Sequence, residues 1–83
     1  MEEQIKQLLT QLTGLPMSAI TPDTHLVRDL GLDSLDVVDL IMQLEQTFGI
    51  RIPDQDYSLL GTFQDVVSYV HVATTSPREL PVA

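Results

Sequence analysis

Residues 31–49, GLDSLDVVDLIMQLEQTFG, predict the central helix of the fold. Asp33 is a favourable residue just before a helix, and Asp36 follows three positions later, which is close to a capping box. At the other end Gly49 can stop a helix, because glycine adopts the left-handed backbone conformation readily. The stretch therefore predicts a helix over about 34–48 that begins with a serine.

Two apolar faces run along this predicted helix when its residues are placed at intervals of about 100°. One face is the stripe expected to pack into the core: Val37, Leu40, Ile41, Leu44 and Phe48. The other face is a separate strip of Leu35, Val38 and Met42, edged by Asp39 and Glu45. A central helix could pack against neighbours on both sides. Alternatively, the strip could be a docking surface whose carboxylates attract basic residues of a partner.

Apolar residues at helical spacing predict two more main helices. The first covers about 2–13, with a stripe of Ile5, Leu8, Leu9 and Leu12. The last begins after Thr62, has Asp65 at its third position and carries a stripe of Phe63, Val66, Val67 and Val70. A short helix is predicted between them, at roughly 54–60. The predicted fold is therefore all-α, a small helical bundle with three main helices and one short helix.

A long connection over 15–32 joins the first two helices. A structured loop of this length is uncommon in a small domain and is often functional. Its apolar residues are expected to hold it against the core: Met17, Ile20, Leu26, Val27, Leu30 and Leu32. From Thr74 onward the sequence is typical of a frayed end, so we assign one domain to 1–75 and a flexible C-terminal tail to 76–83.

The composition excludes several classes of function. The chain has 83 residues, four Lys and Arg against twelve Asp and Glu, a formal net charge of −8 and no cysteine. Nucleic-acid binding needs the opposite sign of charge, and a chain without cysteine forms neither a disulfide nor a thiolate metal site. No stretch reaches the length of a membrane span. We therefore expect a monomeric cytoplasmic protein whose acidic surface attracts basic protein partners.

The serine at the start of the central helix, Ser34, allows several interpretations. A serine hydrolase needs a base, yet His25 and His71 lie in no catalytic motif. No metal site is predicted, because the acidic residues nearby lack the spacing of a calcium loop: Asp29, Asp33, Asp36 and Asp39. Ser34 could be an ordinary residue of the first turn. It could also be a modification site, where a phosphodiester would lie at the positive end of the helix.

The segment LGLDSLDVVDL at 30–40 resembles the attachment motif of acyl carrier proteins, in which D-S-L carries a 4′-phosphopantetheine arm. The resemblance continues beyond this motif. The matching segments that follow are LE at 44–45, FGI at 48–50, IPD at 52–54 and FQDVVSYV at 63–70. It covers roughly 2–73, in the helix order and with the loop lengths of that family.

This resemblance implies a covalent carrier that is not itself an enzyme. Ser34 would accept the arm from coenzyme A, delivered by a phosphopantetheinyl transferase that uses magnesium, and Asp33 matches the acid beside that serine. Acyl chains would travel as thioesters on the thiol of the arm. Acyl-loading, condensing and other pathway enzymes with basic docking patches would recognise Leu35, Asp36, Val38, Asp39, Met42 and Glu45. An unmodified helical interaction module of the same fold is the alternative.

The resemblance does not decide the pathway. Gln46 and Thr47 stand where carriers of fatty acid synthesis often have acids, and Arg51 adds a positive charge just after the central helix. A carrier for polyketide, specialised lipid or aminoacyl synthesis would share the motif. Fatty acid synthesis and these related pathways therefore stay open.

A medium acyl chain would gain from burial in the protein, because each methylene removed from water contributes up to about 0.8 kcal/mol. Small domains have little spare volume. We therefore expect a cavity that opens between the central and last helices rather than one that stands empty. Its expected lining is Val38, Met42, Ile52, Leu60 and Val66.

Overall fold

Three α-helices and two short 3₁₀ helices form the part of the chain that the computed structural model describes, residues 1–75. In chain order they are α1 (Glu2–Thr13), η1 (Met17–Ala19), α2 (Ser34–Phe48), η2 (Asp54–Leu59) and α3 (Phe63–Thr75). The predicted all-α bundle is confirmed, with η1 as an additional turn in the long loop. None of the described helices is both long and apolar enough to cross a membrane. The tail predicted at 76–83 lies outside the described residues.

Side-chain caps determine where α2 and α3 begin. At α2 the Asp36 N–H donates to the Asp33 carboxylate (2.9 Å), and the Asp33 N–H donates to Asp36 (3.3 Å). At α3 the Asp65 N–H donates to the Thr62 hydroxyl (3.1 Å), and the Thr62 N–H donates to the Asp65 carboxylate (3.0 Å). Each pair satisfies two backbone donors at a helix start. Both predicted starts are confirmed.

We expect Thr62→Ala to lower the free energy of unfolding by about 1 kcal/mol, because it removes the acceptor for the Asp65 N–H at the start of α3. Thr10→Ala is a matched control, since the Thr10 hydroxyl donates to the Gln7 carbonyl within α1 and caps no helix start. Chemical denaturation of both variants measures the difference. Equal losses of stability in the two variants would contradict a specific role for the cap.

The core lies between the three α-helices, because α2 contacts both α1 and α3. Every residue of the predicted α3 stripe is buried, whereas Leu8, Leu12, Val37 and Phe48 of the other two stripes are half-buried at its edge. The buried apolar residues are Ile5, Leu9, Ile20, Leu26, Leu32, Leu40, Ile41, Leu44, Ile52, Leu60, Phe63, Val66, Val67 and Val70.

The loop between α1 and α2 is tied to the start of α3 by backbone hydrogen bonds. The Leu26 N–H donates to the Gly61 carbonyl, and the Phe63 N–H donates to the Thr24 carbonyl, both at 2.9 Å. These bonds form an isolated antiparallel bridge. The loop is therefore an ordered part of the fold, and it helps to fix the position at which α2 begins.

The loop is held against the core as expected, although two of its apolar residues are exposed. The loop residues that reach the core are Ile20, Leu26 and Leu32, with Leu30 half-buried. Val27 is instead 51% exposed and Met17 is also exposed. Val27 lies in a tight turn, where its carbonyl accepts from the Gly31 N–H (3.1 Å), and side chains that follow one another in such a turn point in different directions. Met17 begins η1, whose residues are all exposed.

The frayed end expected from Thr74 onward is wrong at Thr74 and Thr75, because α3 continues to Thr75; the rest of that segment lies outside the described residues. The Thr74 hydroxyl donates to the Val70 carbonyl (2.9 Å), and the Thr75 hydroxyl donates to the His71 carbonyl (2.8 Å). Such bonds to the preceding turn are available to threonine within a helix. Both hydroxyls are therefore hydrogen-bonded to carbonyls of the preceding turn, and the helix remains regular through Thr75.

Candidate functional site

Ser34 is the first residue of α2, and its side chain is exposed. The cap at this helix start is made by Asp33 and Asp36, so the Ser34 hydroxyl is not needed for it. The hydroxyl lies where another molecule can reach it. Backbone N–H groups at a helix start favour negative charge, so a phosphate ester on this oxygen would lie in a favourable field. The site fits a group linked through a phosphodiester.

The apolar strip of α2, defined as Leu35, Val38 and Met42, faces outward. Its side chains are 78%, 41% and 52% exposed, respectively. The fully buried residues of the helix lie on its other side and are Leu40, Ile41 and Leu44. The predicted division of α2 into two faces is confirmed. Within residues 1–75 no second layer covers the strip, so packing on both sides of the helix does not explain it.

The carboxylates that edge the strip have different surroundings. Asp39 is exposed and accepts a long hydrogen bond from the Gln43 amide (3.4 Å). Glu45 is half-buried, and its Oε2 accepts from the Ile52 N–H at 2.8 Å. Glu45 thus holds the chain that follows α2 in place. Helical periodicity missed this role, because the partner lies beyond the end of the helix.

A second polar contact joins η2 to α3. The Tyr69 hydroxyl donates to the Asp56 carboxylate at 2.6 Å. Burial, this hydrogen bond and the charges of Asp56 and Glu45 raise the pKa of Tyr69 to about 12. The phenol is therefore protonated and a donor at neutral pH. No motif in the sequence pairs two residues thirteen positions apart in this way.

The residues expected to line a cargo cavity fall into two groups. Ile52, Leu60 and Val66 are buried in the shared core. Val38 and Met42 are exposed on the apolar strip. A chain that contacted both groups would have to enter between α2 and the segment that carries η2. The cavity lined by all five residues stays a prediction, and it requires that opening.

His25 has a structural role in the loop before α2. The ring Nδ1 of His25 accepts from the backbone N–H of Arg28 (3.1 Å), and the backbone N–H of His25 donates to the Asp29 carboxylate (2.8 Å). These two bonds shape the turn that leads toward α2. His71, the other histidine, is exposed on α3.

Comparison with known proteins agrees with this geometry. A family profile described as "Phosphopantetheine attachment site" matches residues 3–70. The structure of "a putative acyl carrier protein" from Mycobacterium tuberculosis is similar, with a TM-score of 0.79 and 37% identity over 86% of this chain and 95% of that one. The apo doublet acyl carrier protein from prodigiosin biosynthesis shares the fold, with a TM-score of 0.72 and 24% identity. The match covers 84% of this chain and 34% of the doublet.

The fold and the matched segment define a carrier domain of the phosphopantetheine-attachment type. The chain belongs to the acyl carrier protein family. The group that this family carries is 4′-phosphopantetheine, held by a covalent bond. The resemblance seen in the D-S-L motif is thereby confirmed. Domains of this class are generally carriers that work with a phosphopantetheinyl transferase and with pathway enzymes.

Proposed function

We propose that this chain carries acyl intermediates as thioesters on a 4′-phosphopantetheine arm attached to Ser34 and passes them to partner enzymes. The proposal depends on one observation. Ser34 is exposed at the start of α2, takes no part in the capping box of Asp33 and Asp36, and lies within the matched segment. The test is the intact mass before and after treatment with a phosphopantetheinyl transferase and coenzyme A. A gain of one phosphopantetheinyl group per chain supports the proposal, and no gain contradicts it.

The arm would supply a flexible thiol that forms a thioester with the cargo. The chain's own residues would present the arm. Ser34 contributes the oxygen that bonds to phosphorus, and the start of α2 favours the negative charge of the phosphate. Asp33 holds the helix start and places a carboxylate beside the serine. In this proposal the chain catalyses no step itself.

Partner enzymes would bind across the apolar strip. The strip offers exposed apolar area next to Ser34, and methionine adapts to partners of different shape. Asp36 and Asp39 lie on the same part of α2, so a partner with basic residues around its active-site entrance would match them. The transferase and the acyl-loading and condensing enzymes would share this surface.

The pathway is proposed only as fatty acid synthesis or a related lipid or polyketide route. Gln46 and Thr47 are neutral and exposed on the last turns of α2, and the exposed Arg51 follows them. The acidic part of the docking surface is therefore concentrated near Ser34. This favours partners whose basic residues lie close to the arm. The domain limits 1–75, the cytoplasmic location and the monomeric state stay predictions from the sequence.

The different surroundings of Asp39 and Glu45 lead to a paired prediction. We expect Asp39→Ala to raise the KM of arm loading about two- to fivefold, because an exposed charge contributes under about 1 kcal/mol to an encounter. Its unfolding free energy should stay nearly unchanged. Glu45→Ala should instead lower the unfolding free energy by about 1–2 kcal/mol, since the Ile52 N–H loses its acceptor.

Loading kinetics and chemical denaturation of both variants measure this difference. The KM for the wild type should also rise with added salt, because exposed charges are screened beyond about 8 Å at physiological ionic strength. Asp39→Ala should weaken that salt response. If Asp39→Ala destabilises the domain, or if Glu45→Ala changes KM alone, the two roles have been assigned wrongly.

A further inference from the structure

A polar cluster outside the attachment site connects α2, η2 and α3. Glu45 on α2 accepts from the Ile52 N–H at 2.8 Å, and Tyr69 on α3 donates to Asp56 on η2 at 2.6 Å. The charge of Glu45 also acts on Tyr69 and helps to raise its pKa, so the two contacts lie within electrostatic reach of each other. Both contacts hold the same stretch of chain, residues 50–60, which we name the strap.

The strap is fully buried only near its two ends, and Tyr57 in its middle packs against the edge of the core. Ile52 and Leu60 are buried, whereas four of the six residues of η2 are exposed. A 3₁₀ helix has weaker hydrogen-bond geometry than an α-helix. Segments with few buried contacts and exposed backbone bonds open at low free energy. The Asp56–Tyr69 bond is thus the polar contact that holds the middle of the strap to α3.

We propose that Glu45, Asp56 and Tyr69 form a latch that keeps the strap closed between α2 and α3, and that cargo enters the core when this latch opens. The inference depends on the proposed carrier function. The buried ends of the strap, Ile52 and Leu60, belong to the core cluster that also contains Val66. Lifting the strap would therefore give an apolar chain access to these side chains without disturbing the contacts of α1 with α2.

The latch is closed by contacts that persist at neutral pH. The pKa of Tyr69 is raised from its ordinary value of 10 to about 12, by burial first and by the bond to Asp56 second. The stabilisation linked to this shift is complete below about pH 10 and is lost as the pH rises through about 12. Ionisation of the phenol therefore does not open the latch at neutral pH.

Hydrogen exchange of the unloaded protein tests the latch directly. In the wild type, the Ile52, Asp56 and Leu60 amides should share one opening free energy that is smaller than the opening free energy of the Leu44 amide in α2. Tyr69→Phe keeps the ring but removes the donor, so exchange of the three strap amides should become about tenfold faster. Strap amides that exchange only with the Leu44 amide, through global unfolding, would overturn the proposal.

Tyr57→Phe is the matched control. Tyr57 lies on η2, is half-buried like Tyr69 and packs against the same core. Removing its hydroxyl loses a contact with Asp54 inside η2, but leaves Glu45 and the Asp56–Tyr69 bond to α3 in place. Exchange of the strap amides should therefore stay within about twofold of the wild type. An equal acceleration in both variants would show that any tyrosine change loosens the strap, which would overturn the latch.

Thioester cleavage by hydroxylamine tests the link to cargo. Hydroxylamine attacks the thioester carbonyl, forms the hydroxamate and releases the thiol of the arm. With octanoyl cargo, cleavage should be several-fold faster in Tyr69→Phe than in the wild type or Tyr57→Phe, because the chain leaves the core more often. With acetyl cargo, which is too short to enter, all three rates should agree.

The outcomes separate the latch from the carrier function. Fast strap exchange in Tyr69→Phe with unchanged octanoyl cleavage would overturn the cargo role of the strap. Equal effects on octanoyl and acetyl thioesters would do the same. A chain that takes no arm would overturn the carrier function and the cargo role together, whereas a loaded chain that shows no latch response would overturn the latch alone.

Discussion

The Ser34→Ala variant should fold like the wild type and gain no mass when it is treated with a phosphopantetheinyl transferase and coenzyme A. The loss should be complete, because the substitution removes the oxygen that would bond to phosphorus. Stability should change little, since Asp33 and Asp36 make the cap of α2 without the Ser34 hydroxyl. Intact mass measures the loading, and thermal unfolding measures the fold.

Two further variants make the result specific. Ser58→Ala removes another exposed hydroxyl, on η2, and should load like the wild type. Asp33→Asn keeps a good N-cap side chain but removes the charge beside Ser34, so it should load more slowly with nearly unchanged stability. Retention of the mass gain in Ser34→Ala would show that the arm is attached elsewhere, and the assignment of the site would be wrong.

The position of Ser34 shows how a helix start can accommodate the proposed attachment site. A helix start needs acceptors for its free N–H groups, and a serine there often supplies one. Here Asp33 and Asp36 supply both acceptors of the capping box. The hydroxyl is consequently free for another use at no cost to the helix, while the field of the helix start still favours a phosphate.

The features that could be predicted from the sequence depend on neighbours close along the chain. The capping boxes of α2 and α3 involve residues three positions apart, and the stripe of α3 follows from helical spacing alone. The division of α2 into two apolar faces also follows from helical spacing, although the sequence left open whether the second face is exposed or packed. For these features no tertiary information was needed.

The features that the sequence did not reveal depend on how the chain turns back on itself. Glu45 has the spacing of a surface residue, yet its carboxylate is held by a backbone N–H beyond the helix end. Tyr69 and Asp56 meet only because η2 packs beside α3. Val27 is apolar but exposed, because a tight turn decides its direction. The predicted docking surface therefore includes one residue, Glu45, whose carboxylate makes a structural hydrogen bond with the Ile52 N–H.

A sheltered acyl chain has a measurable consequence for stability. A ligand that binds only the folded state raises the free energy of unfolding, and the proposed acyl chain would be such a ligand, attached covalently. Going from acetyl to octanoyl adds six methylenes, which could contribute at most about 5 kcal/mol if all were buried. Opening the strap and ordering the chain offset part of this gain. We expect a net stabilisation of about 1–2 kcal/mol.

We therefore expect the melting temperature of the loaded protein to rise by about 5–10 °C between acetyl and octanoyl cargo. The rise should increase with chain length and then level off, because the core can open only so far before α2 and α3 lose contact. Cargo of equal length with a polar end should give a much smaller rise, since burying an unpaired polar group is unfavourable. Methyl signals of Val66 in the core and of Val38 on the strip should shift with chain length. If neither the melting temperature nor these methyl signals change with chain length, the cargo stays in solvent. That result would contradict the predicted cavity between α2 and α3.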